Sequence, residues 1–550
     1  MDGHLRAIAG TATKLAERFG DEAYFAALCL RAGVTRGAEL PHRGAQILLA
    51  FERYSMLGGA IAAAGIRHGD RIALVDELGE LSYKQLDQRS NALANAWCER
   101  GLEPGEGVAI LARNHRGFID ALFAAAKCGA RIVLLNTSFA GPQIHEVAGR
   151  EGTDLLVYDQ EYAGMLDGAE PPRGRYCAWA DEPGDDTLDA LIRGASSAAP
   201  PKAGVAPRIV ILTSGTTGTP KGAPRGEPRS LGLIGGMLSK VPFRAREVTE
   251  LCVPMFHALG LAHATLAVAL GSTLVVRRRF DPLQTLDSIE QHRASALIVV
   301  PVMLRRMIDL GHEARASRDL SRLRIIFVGG SQLGAELCER GMAAFGPIVY
   351  NLYASTEVAY ATIATPEDLQ AEPGCVGKVV RGSVVKILDE HGNEVAPGAT
   401  GQIFVGNASQ FEGYTGGGTK QAVGGLLSSG DLGHFDRKGR LFIDGRADEM
   451  IVSGGENVFP AEVEELLAKH PAVEEAAVIG VEDEQFGQRL KAFVVVRDGS
   501  RLDEDQVKDH VRDNLARYKI PREVVFVDQL PRNATGKVLK RDLEQAQQRS

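Results

Sequence analysis

The run Ile209-Val-Ile-Leu212 leads directly into Thr213-Ser-Gly-Thr-Thr-Gly-Thr-Pro-Lys-Gly222. The apolar run reads as a short buried strand, and the string after it reads as a loop. Three glycines, four threonines and a serine supply flexible backbone N–H groups and hydroxyls, and Lys221 adds a cation. A loop of that make-up following a strand suits a polyphosphate, because it offers many donors at little steric cost. It is not a Walker A loop, which needs Gly-Lys-Ser/Thr. Here Pro220 precedes Lys221 and Gly222 follows it. A bare Gly/Thr cluster would read as a flexible surface loop, but the whole string is far more specific.

Outward from this loop, short apolar runs recur at helix-sized intervals: Val108–Leu111, Ile132–Leu135, Leu297–Val300 and Ile325–Val328. Stretches of helical periodicity such as Tyr83–Arg100 lie between them. Strands rich in Val, Ile and Leu alternating with helices predict mostly parallel α/β sheets covered on both faces. Leu251–Val276 holds no Asp, Glu, Lys or Arg and is followed by Arg277, Arg278 and Arg279, which is the length of a membrane span. Pro254, His257, Gly260, His263 and Gly271 argue instead for strand, loop, buried helix, strand.

From about residue 376 the pattern becomes β-rich. Val379–Leu388 and Gln402–Val405 read as strands, with a turn at Asp389–Asn393. A polar, Gly-rich loop begins near Arg446. Beyond it come a helix (Pro460–Lys469), strands (Ala476–Val481 and Ala492–Val496) and a helix (Asp503–Arg517), enough for a small α+β domain of about a hundred residues. The expected organisation is a helical extension over 1–45, a large domain over 46–446 that includes the β-rich section, and a small domain over 447–550.

The chain has 550 residues, 45% hydrophobic and 24% charged, which at this length calls for more than one domain. A net charge of −8 gives no electrostatic case for nucleic acid. The seven cysteines are scattered without a CxxC pair, against a disulfide framework or a Cys-rich zinc site. The N-terminus shows no secretory pattern. A cytoplasmic setting is expected.

Further segments carry chemistry: PMFHALG (Pro254–Gly260), FVGGS (Phe327–Ser331), NLYASTE (Asn351–Glu357), SSGDLGHFD (Ser428–Asp436), GRADEMIVSGGENVFPAEVE (Gly445–Glu464) and PRNATGKVLK (Pro531–Lys540). With the Thr213 loop, and in this order, they resemble the acyl-adenylate-forming superfamily: acyl-CoA synthetases, adenylation domains and luciferases. The resemblance runs from about residue 50 to 541, and the whole chain looks most like bacterial fatty-acyl-CoA synthetases.

The resemblance implies a two-step reaction. A carboxylate attacks the α-phosphate of ATP, giving acyl-AMP and pyrophosphate, and a thiol, usually that of CoA, then displaces AMP. Bringing two anions together calls for positioning and electrostatic stabilisation. By resemblance, Lys537 reaches the carboxylate and α-phosphate, Thr356 bonds the α-phosphate, and Glu357 ligates Mg²⁺ with the Thr213 hydroxyl nearby. The nucleotide side would comprise Thr213, Ser214, Gly215, Thr216, Thr217, Gly218 and Lys221 of the loop. Gly329, Gly330 and Ser331 would lie against the adenine, with Asn351, Tyr353 (stacking) and Ala354. Asp431 would accept both ribose hydroxyls, and Arg446 would touch ribose or phosphate. The family usually has Gly at 354, which narrows the space there. It often has Thr at 429 and a Trp near 426.

Asp448 matches the hinge about which the small domain rotates. Ser453, Gly454 and Gly455 would then line the pantetheine path. His257 would sit at the acyl pocket, where amino-acid-activating relatives commonly have Asp, so the acid should lack an α-ammonium group. Leu231–Leu238, His257–Leu266, Val300–Leu304 and Gly330–Leu333 would wall that pocket, and they are nearly all apolar or small. The resemblance thus implies an acid–thiol ligase acting on a small-molecule carboxylic acid, a fatty acid first, with ATP, Mg²⁺ and CoA. Loading of a separate carrier protein by a fatty-acyl-AMP ligase, and an aryl-acid CoA ligase, are the alternatives. Arg277, Arg278 and Arg279 read either as a solvated edge or as a seat for CoA phosphates. Peripheral membrane contact and oligomerisation stay open.

Overall fold

The computed structural model describes residues 20–34, 41–182, 184–213, 220–227, 230–453, 456–483, 487–533 and 536–543. Among the described residues four sheets form. The first has nine strands. Six parallel strands run from Val349–Ser355 through Ile325–Val328, Ala296–Val299, Val248–Leu251 and Thr273–Val276 to Ile72–Asp76. Antiparallel strands close both edges. The second has six strands in the order Arg175–Trp179, Thr153–Asp159, Gly107–Leu111, Arg131–Leu134, Arg208–Thr213, Lys221–Arg225, and only the last is antiparallel.

One continuous core joins these two sheets through the helices Tyr83–Glu99, Arg116–Lys127 and Ala258–Leu270, with Trp97, Phe118 and Leu122 wholly buried. Burial on both faces is why the strands read as unbroken apolar runs. Tyr83–Glu99 starts where Ser82 and Gln85 bond each other's backbone N–H in a capping box.

The apolar stretch flagged as span-like resolves as two neighbouring strands of the first sheet joined by Ala258–Leu270. That helix ends on Gly271 at φ 63, and a Cβ there would lie 2.1 Å from Nε2 of buried His68, so glycine is required twice over. Pro41–His68 is long and apolar enough by composition to cross a membrane, yet half of its most apolar window is buried inside the protein. It breaks at Ser55 (φ 60), where Glu227 accepts from the N–H groups of Met56 and Leu57 and so caps the second half.

The helix over 20–32 packs on the large domain. Phe25 is 2% exposed and lies against Gly235 and Gly232 of the helix Gly232–Lys240. Pro41–His68 runs straight across residue 45, so chain geometry marks no break there.

The third sheet is the five-stranded antiparallel β-rich section. The run expected as one strand, Val379–Leu388, is split. Lys378–Val379 joins the edge of the first sheet and Ser383–Leu388 begins the third. Gly382 between them sits at φ 91, a left-handed turn that a continuous strand cannot contain. The Asp389–Asn393 turn forms, with Asp389 N–H donating to Asn393 O at 2.8 Å. Leu441–Arg446 is the last strand of this section. The fourth sheet follows in the small domain with the helices Pro460–Ala468 and Glu504–Asn514 and its own core of Ile451, Val463, Val478, Ala492 and Val507.

Candidate active site

Parallel strands place their C-terminal ends along one edge, where open α/β sheets bind ligands. Gly329–Ser331 leave the end of Ile325–Val328. Gly330 has φ 92, and a Cβ on Gly329 would press on Leu352 at 3.3 Å, so both glycines answer to backbone and space. Val349–Ser355 carries Asn351, buried with its amide toward Cys375 O, then Tyr353 and exposed Ala354.

Tyr353 meets Asp431 here: the phenol donates to Oδ2 at 2.5 Å. Arg446 Nη1 reaches the other oxygen at 3.4 Å, while its Nε and Nη2 hold Asp448 at 2.8 and 3.2 Å. One arginine thus ties the expected ribose carboxylate to the expected hinge. Burial pushes the Asp431 carboxyl up, against the pull of Tyr353, Arg446 and Lys537. Asp448 sits below the usual range: burial opposes ionisation, but Arg446 and then Lys537 outweigh it.

Glu357 lies in the turn after Val349–Ser355. Its Oε1 accepts from the Tyr414 hydroxyl at 2.7 Å and its Oε2 from Ser355 at 3.1 Å. Arg225 donates to the carbonyl of Thr356, and burial lowers this guanidinium to about 10, with the nearby Glu357 charge opposing. Among the described residues no three His, Cys, Asp or Glu side chains cluster as a metal cage. A single carboxylate such as Glu357 fits magnesium, which keeps waters and substrate oxygens rather than an all-protein shell. Thr213 is buried and its hydroxyl donates to Lys221 O at 3.2 Å, and Lys221 Nζ stands 5.2 Å over the Tyr414 ring. Ser214, Gly215, Thr216, Thr217 and Gly218 lie outside the described residues, as do Gly454 and Gly455. Ser453 ends the strand Ile451–Ser453 and pairs with Glu456 and Gly487.

Lys537 comes from the small domain, in a turn that rests against the large one. Its charge is felt by both Asp431 and Asp448. The turn is closed locally, Lys537 N–H donating to Asn533 Oδ1 at 2.9 Å. It is seated on the large domain by Gly536 (φ 76), where a Cβ would come within 2.6 Å of Val302 Cγ1. Further contacts bind the two domains. Gln332 Nε2 donates to Glu465 at 2.7 Å, and Arg305 donates to Glu474 O at 3.1 Å and stands 3.9 Å from both Glu475 and Glu336. Within the small domain Arg532 holds Glu475 at 2.7 Å and so positions the carboxylate that faces Arg305. The small domain is therefore docked with Lys537 toward the nucleotide side.

His257 precedes Ala258–Leu270 without capping it by its side chain. Among the described residues its Nε2 is buried with no hydrogen-bond partner, its ring lies 4.5 Å from that of Phe256, and burial lowers it to about 4, so it is neutral near pH 7. Leu233, Ile234, Leu238, Leu259, Val302 and Leu352 are partly buried apolar neighbours of the same core. The sequence reading missed Arg225, Tyr414, Arg305 and Gln332. A lone arginine closing the apolar strand after Lys221 was the available signal for the first. The other three stand in segments whose contacts only folding reveals.

A large domain of mostly parallel sheets with a small domain docked on it is the architecture of adenylate-forming enzymes. The comparisons agree. The profile of the AMP-binding enzymes matches residues 61–415, and that of the AMP-binding enzyme C-terminal domain matches residues 462–537. The indoleacetate–CoA ligase of Aromatoleum aromaticum is 35% identical over 481 residues, 85% of this chain and 93% of that protein. ScoC of Streptomyces coeruleorubidus, a fatty acid–[acyl-carrier-protein] ligase, is 30% identical over 86% of this chain and 92% of its own length. The ATP-bound structure of MatB from Rhodopseudomonas palustris aligns with a TM-score of 0.79 at 28% identity, covering 89% of this chain and 99% of that one. The chain belongs to the AMP-binding enzyme family and is an AMP-forming acid–CoA ligase.

Proposed function

We propose that this ligase activates an apolar carboxylic acid, a fatty acid in the first instance, as its acyl-adenylate and transfers the acyl group to CoA. The observation that carries the reading is the seating of the Lys537 turn on the large domain, Gly536 against Val302, where the Lys537 charge is felt at Asp431. That arrangement suits the first half-reaction.

In it, Lys537 neutralises the approaching carboxylate and the α-phosphate, as a point charge on a flexible stem can. Thr356 donates to the α-phosphate. Asp431 accepts the ribose hydroxyls, exchanging its present Tyr353 partner for them or sharing it, and the Tyr353 ring covers the adenine with Gly329–Ser331 behind. Glu357 and the Thr213 hydroxyl would hold Mg²⁺, which supplies charge neutralisation for the polyphosphate when bound. Arg225 and Tyr414 position Glu357. Release of the Arg446–Asp448 pair frees the hinge, the small domain turns, and the strand ending at Ser453 approaches the thiol path.

The neutral His257 and its apolar neighbours support an acid without an α-ammonium group, because a cationic substrate would find no carboxylate there. An aryl acid is the second reading of the substrate, supported by the relative named as an indoleacetate–CoA ligase. A carrier protein is the second reading of the acceptor, supported by ScoC. The seven unpaired cysteines support a reducing, cytoplasmic compartment.

The test is pyrophosphate and AMP release from ATP and Mg²⁺ over a panel of fatty, aryl and amino acids, with and without CoA. CoA-dependent turnover of one apolar acyl class is the expected result. Acyl-dependent pyrophosphate release indifferent to CoA would overturn the acceptor assignment, and selective turnover of amino acids would overturn the substrate assignment.

A further inference from the structure

Cys98 and Cys128 lie 30 positions apart in sequence, yet their Sγ atoms are 3.7 Å apart, the one sulfur–sulfur contact among the described residues. Cys98 stands in the last turn of the helix Tyr83–Glu99, and Cys128 ends the helix Arg116–Lys127. Lys127 fixes the two helices against each other. Its Nζ donates to Asp87 Oδ1, Ser90 Oγ and Asn91 Oδ1, all on the first helix, at 2.6, 2.8 and 2.7 Å. The next side chain, Cys128, is thereby laid over that helix, its thiol donating to Ala94 O at 3.7 Å, one turn before Cys98.

Backbone bonds hold both residues. Cys128 N–H donates to Ala124 O at 3.0 Å, and Cys98 O accepts from Gly101 N–H at 2.9 Å. Side-chain rotation is what remains to close the gap. A disulfide of about 2.05 Å asks the two sulfurs to approach by less than about 2 Å.

The two thiols are unequal. Cys128 is buried, whereas Cys98 keeps part of its surface in solvent. Their shared hydrogen bond draws Cys98 down to about 7, against burial and the Glu99 charge. The same bond and burial raise Cys128, against the nearby Lys127 charge. The solvent-facing sulfur is therefore the thiolate, with a protonated thiol held beside it.

We propose that Cys98 and Cys128 form a reversible redox pair, in which Cys98 reacts with a hydroperoxide and Cys128 resolves the product as an intramolecular disulfide. In the first step the Cys98 thiolate attacks the terminal peroxide oxygen. The S–O bond forms, the O–O bond breaks, and the departing alkoxide takes a proton and leaves as the alcohol. In the second step the Cys128 sulfur attacks the Cys98 sulfenic acid. The S–S bond forms, the S–O bond breaks, and hydroxide leaves with the Cys128 proton as water. Two thiols have then lost two electrons, which the hydroperoxide has gained. An external dithiol restores the pair. Neither helix carries a residue assigned to the ligase reaction, so the site is separate from it. Transient disulfides of this kind belong to reducing compartments.

The test treats the full, pre-reduced chain with hydrogen peroxide and follows its mass. The expected product has lost two hydrogens, and unreduced peptide mapping joins the Cys98 peptide to the Cys128 peptide. Dithiothreitol should reverse both changes. In Cys128→Ala, Cys98 should stop as a sulfenic acid that dimedone traps. In Cys98→Ala, the buried Cys128 should stay unmodified at the same dose. The natural chain gives the deciding result, so a variant that folds poorly leaves the test intact. Oxygen added at Cys98 of the natural chain without loss of two hydrogens would overturn the proposal. So would a bridge through another cysteine or between two chains, or a Cys98 that peroxide leaves as a free thiol.

Discussion

Tyr353 and Asp431, separated by 78 residues, are joined by a hydrogen bond of 2.5 Å between phenol and carboxylate. It links the first sheet to the β-rich section, and it pre-sets Asp431 for a substrate that offers hydroxyls. If Asp431 accepts the ribose, Asp431→Ala should raise the KM for ATP tenfold or more, since hydrogen bonds to a charged group contribute roughly 1.5–3 kcal/mol. Tyr353→Phe keeps the ring and should cost only about two- to fivefold. Equal effects of the two changes would mean that Asp431 serves Tyr353 rather than nucleotide.

Lys537→Ala should lower acyl-AMP formation by roughly 10²–10³, the scale of losing one pre-positioned charge at a reacting centre. ATP binding, followed by calorimetry, should stay within about threefold. Normal acyl-AMP formation in this variant would refute the assignment.

Arg305 belongs to the large domain and reaches Glu474 O and Glu475 of the small one. These contacts exist in the docked orientation, so Arg305→Ala should weaken the first half-reaction relative to the second. Part-exposed ion pairs contribute about 0.2–1 kcal/mol, so acyl-AMP formation should fall by no more than about fivefold. Thioester formation from pre-made acyl-AMP should be unchanged or faster. Parallel loss of both half-reactions would show instead that Arg305 merely supports the fold.

Burial lowers His68, His257 and His263 each to about 4. All three bind protons more readily unfolded, near 6.5, than folded. Their contribution is therefore intact above pH 6.5 and is lost as pH falls toward 4, on the order of 2–3 kcal/mol each. Glu250 acts with the opposite sign. Burial raises it to about 7, so the stability it lends is lost as pH rises from 4.5 through 7. Thermal unfolding midpoints should fall steeply from pH 6.5 to 4.5, less sharply than the histidines alone would give. A flat profile over that range would contradict the buried, neutral state of the three rings.

Phe25→Ala should lower unfolding stability by about 3–5 kcal/mol if the helix over 20–32 is integral to the core. A change below about 1 kcal/mol by denaturant titration would show that this helix is a dispensable extension.

The sequence determined the α/β class, the strand at Ile209–Leu212, observed as Arg208–Thr213, and the small C-terminal domain. These are local matters: apolar runs, helical periodicity and turn residues are written in consecutive positions. Asp431, Glu357 and Lys537 became candidates because each stands in a string that resembles the family's. The split at Gly382 was missed because the apolar residues on either side were read as one strand, although Arg381-Gly382-Ser383 between them is a turn signal. Only tertiary structure decided that Arg446 bridges Asp431 to Asp448, that Arg225 and Tyr414 flank Glu357, and that the basic run sends Arg277 to Gln284 but Arg278 and Arg279 to Glu161. Such relations depend on which strand ends the topology brings together and on how much water the surrounding core excludes. Both are set by packing between residues distant in sequence, as Arg225 and Thr356 are at 131 positions apart.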